Sequence, residues 1–186
     1  MNYGEIKKRD IANGPGVRVS LFVSGCRHRC PGCFNAEAWD FGYGKPFDTQ
    51  TEADILKAAA PSYITGLSLL GGEPFEPENR SVLTALTRKF RDTYPEKDIW
   101  CYTGFLFETL LHDETASALL ETIDVLVDGK FEMARKSPSL LFRGSANQRI
   151  LDVKKSLALG AGVWLTGNWE RQTGSGDIYE RTGFDG

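Results

Sequence analysis

The chain has only four cysteines and two histidines among 186 residues. Three of the thiols, Cys26, Cys30 and Cys33, stand close together in the spacing C-x3-C-x2-C. Three neighbouring thiols cannot pair off among themselves, so a small disulfide-stapled secreted scaffold is excluded. No apolar run approaches the ~20 residues that span a bilayer. The opening Met1-Asn2-Tyr3-Gly4-Glu5 has no signal-peptide core. A cytoplasmic chain with no membrane partner is the expectation. A basic surplus is also missing: 22 Lys and Arg stand against 25 Asp and Glu, a net charge of −3. That balance excludes a general nucleic-acid binder, whose phosphate contacts need positive charge.

Internal repeats, low-complexity tracts and dividing linkers are absent as well. With 41% hydrophobic and 25% charged residues, the composition suits one globular core and excludes disorder of the whole chain. From Gly167 onward the sequence turns polar and glycine-rich. The expected division is a folded domain over residues 1–166 and a polar C-terminal tail over 167–186.

Strand and helix signals alternate along the chain. Val17–Val23 is β-rich and runs into the cysteine loop. Thr51 looks like an N-cap ahead of a helix carrying Ile55, Leu56 and Ala59 on one face. Residues 64–70 form a buried strand ended by Gly71-Gly72-Glu73-Pro74, and Pro77 can open the next helix. Short strands follow at 99–103 and 123–127, with a helical stretch between them that breaks near His112-Asp113. Residues 142–153 are ambiguous, and 162–166 suggest a last strand. This alternation predicts an α/β fold with a mostly parallel sheet.

Ligands of open α/β sheets gather at the carboxyl ends of the strands. The cysteine loop and the Gly-Gly-Glu-Pro loop both fall there, and Thr103-Gly104 and Asp128-Gly129-Lys130 follow later strands to the same rim. Three thiolates without a fourth suit a [4Fe–4S] cluster with one iron left open. A closed zinc site takes four ligands, and His28, His112 or Cys101 would have to be recruited. Unliganded thiols are the third alternative. Cys101, inside a strand, reads as a small buried hydrophobe. Arg27, His28 and Arg29 read either as a solvated loop or as a basic collar for an acidic electron donor.

C-x3-C-x2-C after one strand, with Gly-Gly-Glu-Pro after the next, resembles the radical S-adenosylmethionine superfamily. Asn13-Gly14-Pro15-Gly16-Val17-Arg18 is similar to the opening of its glycyl-radical activating enzymes. Asp128-Gly129-Lys130-Phe131 and Phe142-Arg143-Gly144-Ser145-Ala146-Asn147-Gln148 resemble the anaerobic ribonucleoside-triphosphate reductase activating proteins. The resemblance runs over residues 2–153. Gly32 stands where the superfamily usually has an aromatic, and Phe34 follows Cys33 instead, an arrangement shared with this activase family. No second cysteine cluster is present.

The resemblance implies a partial (β/α) barrel, since a closed one takes ~250 residues. It implies a [4Fe–4S] cluster on Cys26, Cys30 and Cys33, with S-adenosyl-L-methionine on the open iron. Reductive cleavage then yields methionine and a 5′-deoxyadenosyl radical, which takes a hydrogen from a glycine in the large subunit of the reductase. A small electron-donor protein such as flavodoxin or ferredoxin is the further implied partner. Phe34, Asn35, Gly71, Gly72, Glu73, Thr103, Asp128, Lys130 and Arg143 are the implied cofactor contacts. Glu73 is expected to accept from the methionyl amine, and Arg143 to meet the cofactor carboxylate or the partner. Another radical enzyme, such as a pyruvate formate-lyase activase or a deazapurine synthase, and a zinc-stabilised binding module are the alternatives.

Overall fold

The structure, a computed structural model, describes residues 1–166. Its centre is a seven-stranded mixed sheet. The strands are β1 (Asn2–Asp10), β2 (Val17–Val23), β3 (Lys45–Pro46), β4 (Ile64–Gly71), β5 (Asp98–Tyr102), β6 (Val125–Asp128) and β7 (Arg149–Asp152), arranged β3-β1-β2-β4-β5-β6-β7. The core β2-β4-β5-β6 is parallel, and β1, β3 and β7 join antiparallel at the two sides.

The parallel strands lie in chain order with no reversal. Right-handed crossovers then put every connecting helix on one face, the winding of a barrel rather than of a doubly wound sheet. The helices α1 (Thr49–Ala59), α2 (Pro77–Thr93), α3 (Phe107–Leu111) and α4 (Glu114–Leu120) make these connections, and α5 (Val153–Leu159) follows β7. Strand alternation sorts the side chains. Val19, Leu21, Leu67, Leu69, Ile99, Cys101 and Leu126 belong to the large core shared with helix residues Ile55, Leu83, Leu86 and Phe90. Trp100, Val125, Val127 and Ile150 form a second, smaller core with Tyr102 and Phe142. Arg18 is fully buried, with Asp98 2.7 Å and Ser68 Oγ 2.7 Å from its guanidinium.

Local chemistry sets the helix limits. Asp48, not Thr51, caps α1, and its carboxylate accepts from both the amide and the hydroxyl of Thr51 at 2.7 Å. Pro77 opens α2 as expected, where its missing N–H costs nothing. The helical stretch after β5 breaks at His112-Asp113, and Asp113 caps α4. Residues 162–166 form no strand: Trp164 makes a single bridge to Leu151. The expected tail over 167–186 lies outside the described residues. Among the described residues no helix is long and apolar enough to cross a membrane.

Candidate cluster and cofactor site

The backbone ladder of β2 and β4 continues past the strand ends. Gly72 N donates to Val23 O at 2.7 Å, and Glu73 N donates to Gly25 O at 2.8 Å. The cysteine loop is thereby held against the Gly-Gly-Glu-Pro loop. Asn79, from the first turn of α2, donates to Ser24 O at 3.0 Å and Glu73 O at 2.9 Å, bridging both. Two glycines make the close approach possible. Gly71 has φ +111°, and a Cβ on Gly72 would lie 2.6 Å from Gly25 O.

All four cysteines are free. Cys26 is buried, while Cys30 and Cys33 are half-exposed. Burial pushes the Cys26 thiol up to about 11, and the charge of Glu73 adds to this. The backbone amides of His28 and Arg29 act in the opposite sense. Asn35 N donates to Cys33 Sγ at 3.4 Å. Arg27 braces the loop from outside: its amide donates to Glu76 at 2.6 Å, its guanidinium to Glu78 at 3.0 Å, and it lies over the Phe41 ring.

These loops border a cavity of about 370 Å³ at the carboxyl ends of the parallel strands. That volume is in the range of nucleotide-sized ligand sites. Cys26, Cys30, Cys33 and Phe34 line it from the cysteine loop, Gly71, Gly72 and Glu73 from the loop after β4, and Thr103 and Gly104 from the loop after β5. Ala12 and Asn13 contribute from the segment before β2, where Asn13 O accepts from Ser68 Oγ at 2.6 Å. Phe131, Phe142 and Arg143 come from the long excursion between β6 and β7. Phe34 is 85% exposed at the rim.

The cavity does not gather every expected contact. Asp128 is fully buried and turned to Arg149, which donates to it at 2.9 and 2.5 Å, and Asp128 also accepts from Phe107 N at 2.8 Å. It ties β6 to β7 and α3. Lys130 is exposed and outside the lining, and its carbonyl accepts from Asn147. Asn35 reaches the site through its amide on Cys33, not through the cavity wall. Arg143 lines the cavity, with its guanidinium bonded to Gln148 O at 2.9 Å.

Glu73 differs most from expectation. It is 1% exposed, and both carboxylate oxygens are engaged. Oε1 accepts from Phe75 N and the Thr103 hydroxyl, each at 2.8 Å, and Oε2 accepts from Gly104 N at 2.7 Å. His28 Nε2 is 3.1 Å from Oε2. Little acceptor capacity remains for a ligand amine. The carboxylate locks the loops after β4 and β5 together instead.

The donor set fits an iron–sulfur cluster. Among the described residues no three His, Cys, Asp or Glu side chains converge as around one metal ion. A cluster takes each thiolate on a different iron, so its ligands need not meet at one point. Among the described residues, neither His28 nor Cys101 offers the fourth ligand of a zinc site: His28 is turned to Glu73, and Cys101 sits in the helix-side core. The cavity also fits a polar ligand. Trp39 Nε1 and the Tyr102 hydroxyl belong to lining residues and are buried donors without a hydrogen-bond partner among the described residues. Unpaired buried donors are rare in folded proteins. Burial keeps the Tyr102 phenol protonated, so it remains a donor.

Trp39, Tyr102, Phe131 and Phe142 were not anticipated as lining residues from the sequence. For Tyr102 the signal was available: it shares the face of Trp100, opposite Ile99 and Cys101.

Comparison with known proteins agrees with this geometry. The family described as a 4Fe-4S single cluster domain matches residues 12–151. The anaerobic ribonucleoside-triphosphate reductase-activating protein of Pasteurella multocida is 45% identical over 152 residues, covering 81% of this chain and 96% of its own length. The protein of that name from Enterobacteria phage T4 is 42% identical, covering 81% and 93%. The one from Escherichia coli K12 is 43% identical, covering 80% and 96%. The chain belongs to the family of anaerobic ribonucleoside-triphosphate reductase-activating proteins, radical S-adenosylmethionine enzymes built on a 4Fe-4S single cluster domain.

Proposed function

We propose that this protein activates an anaerobic ribonucleoside-triphosphate reductase by leaving a glycyl radical on its large subunit. The observation that carries the reading is the meeting of three free cysteines with the glycine-edged loop after β4 at one cavity. The cluster, when bound, supplies one electron that breaks the S–C5′ bond of S-adenosylmethionine, and the sequence ends in methionine, 5′-deoxyadenosine and the glycyl radical.

The chain's own residues hold and shield this chemistry. Cys26, Cys30 and Cys33 are the cluster ligands. Gly71 and Gly72 leave room for the methionyl end beside the strand terminus. Phe34 offers a ring face to the adenine, and Arg143 is the carboxylate partner, since a guanidinium suits that geometry. Phe131 and Phe142 keep water from the reacting end. Glu73 and Thr103 set the spacing of the two loops rather than touching the ligand with their side chains.

The reductase glycine approaches where the barrel is incomplete. Exposed Phe34 and Met133 lie at this rim, with the Met133 side chain against Gly32. A small electron-donor protein such as flavodoxin or ferredoxin supplies the electron. Exposed Arg29, beside the cysteines, favours an acidic donor. Four free thiols accord with a reducing, cytoplasmic setting.

The test is anaerobic reconstitution followed by incubation with S-adenosylmethionine and a strong reductant. Release of 5′-deoxyadenosine that requires Cys26, Cys30 and Cys33 is expected. No 5′-deoxyadenosine from iron-loaded protein would refute the proposal.

A further inference from the structure

His28 stands inside the cysteine motif, two residues after Cys26 and two before Cys30. Flanked by Arg27 and Arg29, it looks like a solvated loop residue, yet its side chain is only 9% exposed. Its ring packs edge-on against Phe105 at 4.4 Å between centroids. Nε2 lies 3.1 Å from Glu73 Oε2, in a bent contact off the line of a good hydrogen bond. Gly104 passes directly beneath the ring, and a Cβ there would lie 2.4 Å from His28 Cδ2. One imidazole therefore touches the loops after both β4 and β5.

The backbone of the same residue acts on a cluster ligand. The backbone amides of His28 and Arg29 act to lower the Cys26 thiol, and Arg29 holds a left-handed φ of +46°. Turns of this kind let successive amides converge on one anion. Such a turn costs free energy in a non-glycine residue and persists only when its surroundings hold it. The buried His28 side chain is the anchor nearest to it.

We propose that His28 is a positioning residue: its buried ring pins the cysteine loop to Glu73, Gly104 and Phe105 and so holds the turn at Arg29 that sets the loop amides beside Cys26. Hydrogen bonds to ligand sulfur stabilise the more negative, reduced form of a cluster and help retain it. The inference rests on the function proposed above and adds a residue to it.

Two lesions reach the ring independently. His28→Ala removes it. Gly104→Ala displaces it from the opposite side without altering the cysteine loop. His28→Gln retains an N–H donor near the Nε2 position. Each full-length variant is reconstituted anaerobically. Iron and sulfide content, the rate of iron release to a chelator and the cluster midpoint potential are measured, and the thermal midpoint of the cluster-free chain serves as the folding control.

All variants keep their three cysteines, so all should load iron. Both Ala variants should release it roughly tenfold faster, the scale of other supporting-shell lesions, and their midpoint potentials should become more negative. His28→Gln should lie nearer the parent in both. If either Ala variant fails to fold, the other and His28→Gln carry the comparison. Parent-like release and potential in a folded His28→Ala protein overturn the positioning role and leave the proposed function standing. A parent protein that builds no cluster overturns both.

Discussion

The Thr103 hydroxyl donates to Glu73 Oε1 at 2.8 Å, joining the loop that ends β5 to the loop that ends β4. The same carboxylate takes Phe75 N and Gly104 N, so one buried side chain closes the cavity wall along two strands.

Glu73→Gln replaces one acceptor oxygen by an amide that opposes a buried N–H. The cost is about 1–3 kcal/mol for a buried donor left unsatisfied. Urea unfolding of the cluster-free chain should show this loss, and cofactor affinity should fall as a consequence of the loosened wall. Unchanged stability with weakened S-adenosylmethionine binding would instead make Glu73 a direct ligand contact.

Asp128→Asn should also act through stability. Asp128 is fully buried and bonded to Arg149 through both oxygens. Asn leaves a buried donor unsatisfied at a cost of about 1–3 kcal/mol, while Arg149, one-quarter exposed, keeps Glu108 as its partner. The expected variant unfolds at lower denaturant, while its folded fraction binds S-adenosylmethionine like the parent. A normal unfolding midpoint with lost cofactor binding would return Asp128 to the ligand contacts.

The cysteines should divide three against one. Ala at Cys26, Cys30 or Cys33 removes a cluster ligand and should abolish stable iron and sulfide loading. Cys101→Ala lies in the helix-side core and should retain the cluster. Complete iron loss in Cys101→Ala, or parental loading in Cys30→Ala, contradicts the assignment.

Acid should weaken the fold through two carboxylates. Arg149 holds Glu108 down to about 2, and the Thr115 hydroxyl, followed by Arg80, holds Asp113 down to about 2. In the unfolded chain such groups titrate near ~4. Their stabilisation is complete above that value and is lost as pH falls towards 2. The thermal midpoint of the cluster-free chain should hold steady from pH 6 to 5 and fall below about 4, with a shallower fall in Glu108→Gln. A midpoint that rises as pH drops through 4 contradicts these pairings.

The parallel core was legible because its strands are rich in apolar and β-branched residues and reach a glycine at or within two residues of their ends, and because Pro77 and the break at His112-Asp113 mark helix limits. β1 was not, since Lys7, Lys8, Arg9 and Asp10 blur its alternation, and its place in the sheet comes from pairing with β2. The cysteine motif was legible as a cluster site because ligand number and spacing are local. The burial of His28 was not, because it depends on Gly104 and Phe105 from a distant loop. Asp128 looked like a rim carboxylate for the same reason: Arg149, its partner, lies 21 residues further on.

The central claim is the transfer of a radical to a protein glycine. Its most direct test is electron paramagnetic resonance of the candidate reductase after anaerobic incubation with this protein, S-adenosylmethionine and reductant. The expected result is a glycyl-radical doublet that disappears with Cys30→Ala. A cluster-loaded protein that cleaves S-adenosylmethionine yet leaves no doublet on the reductase would contradict the account.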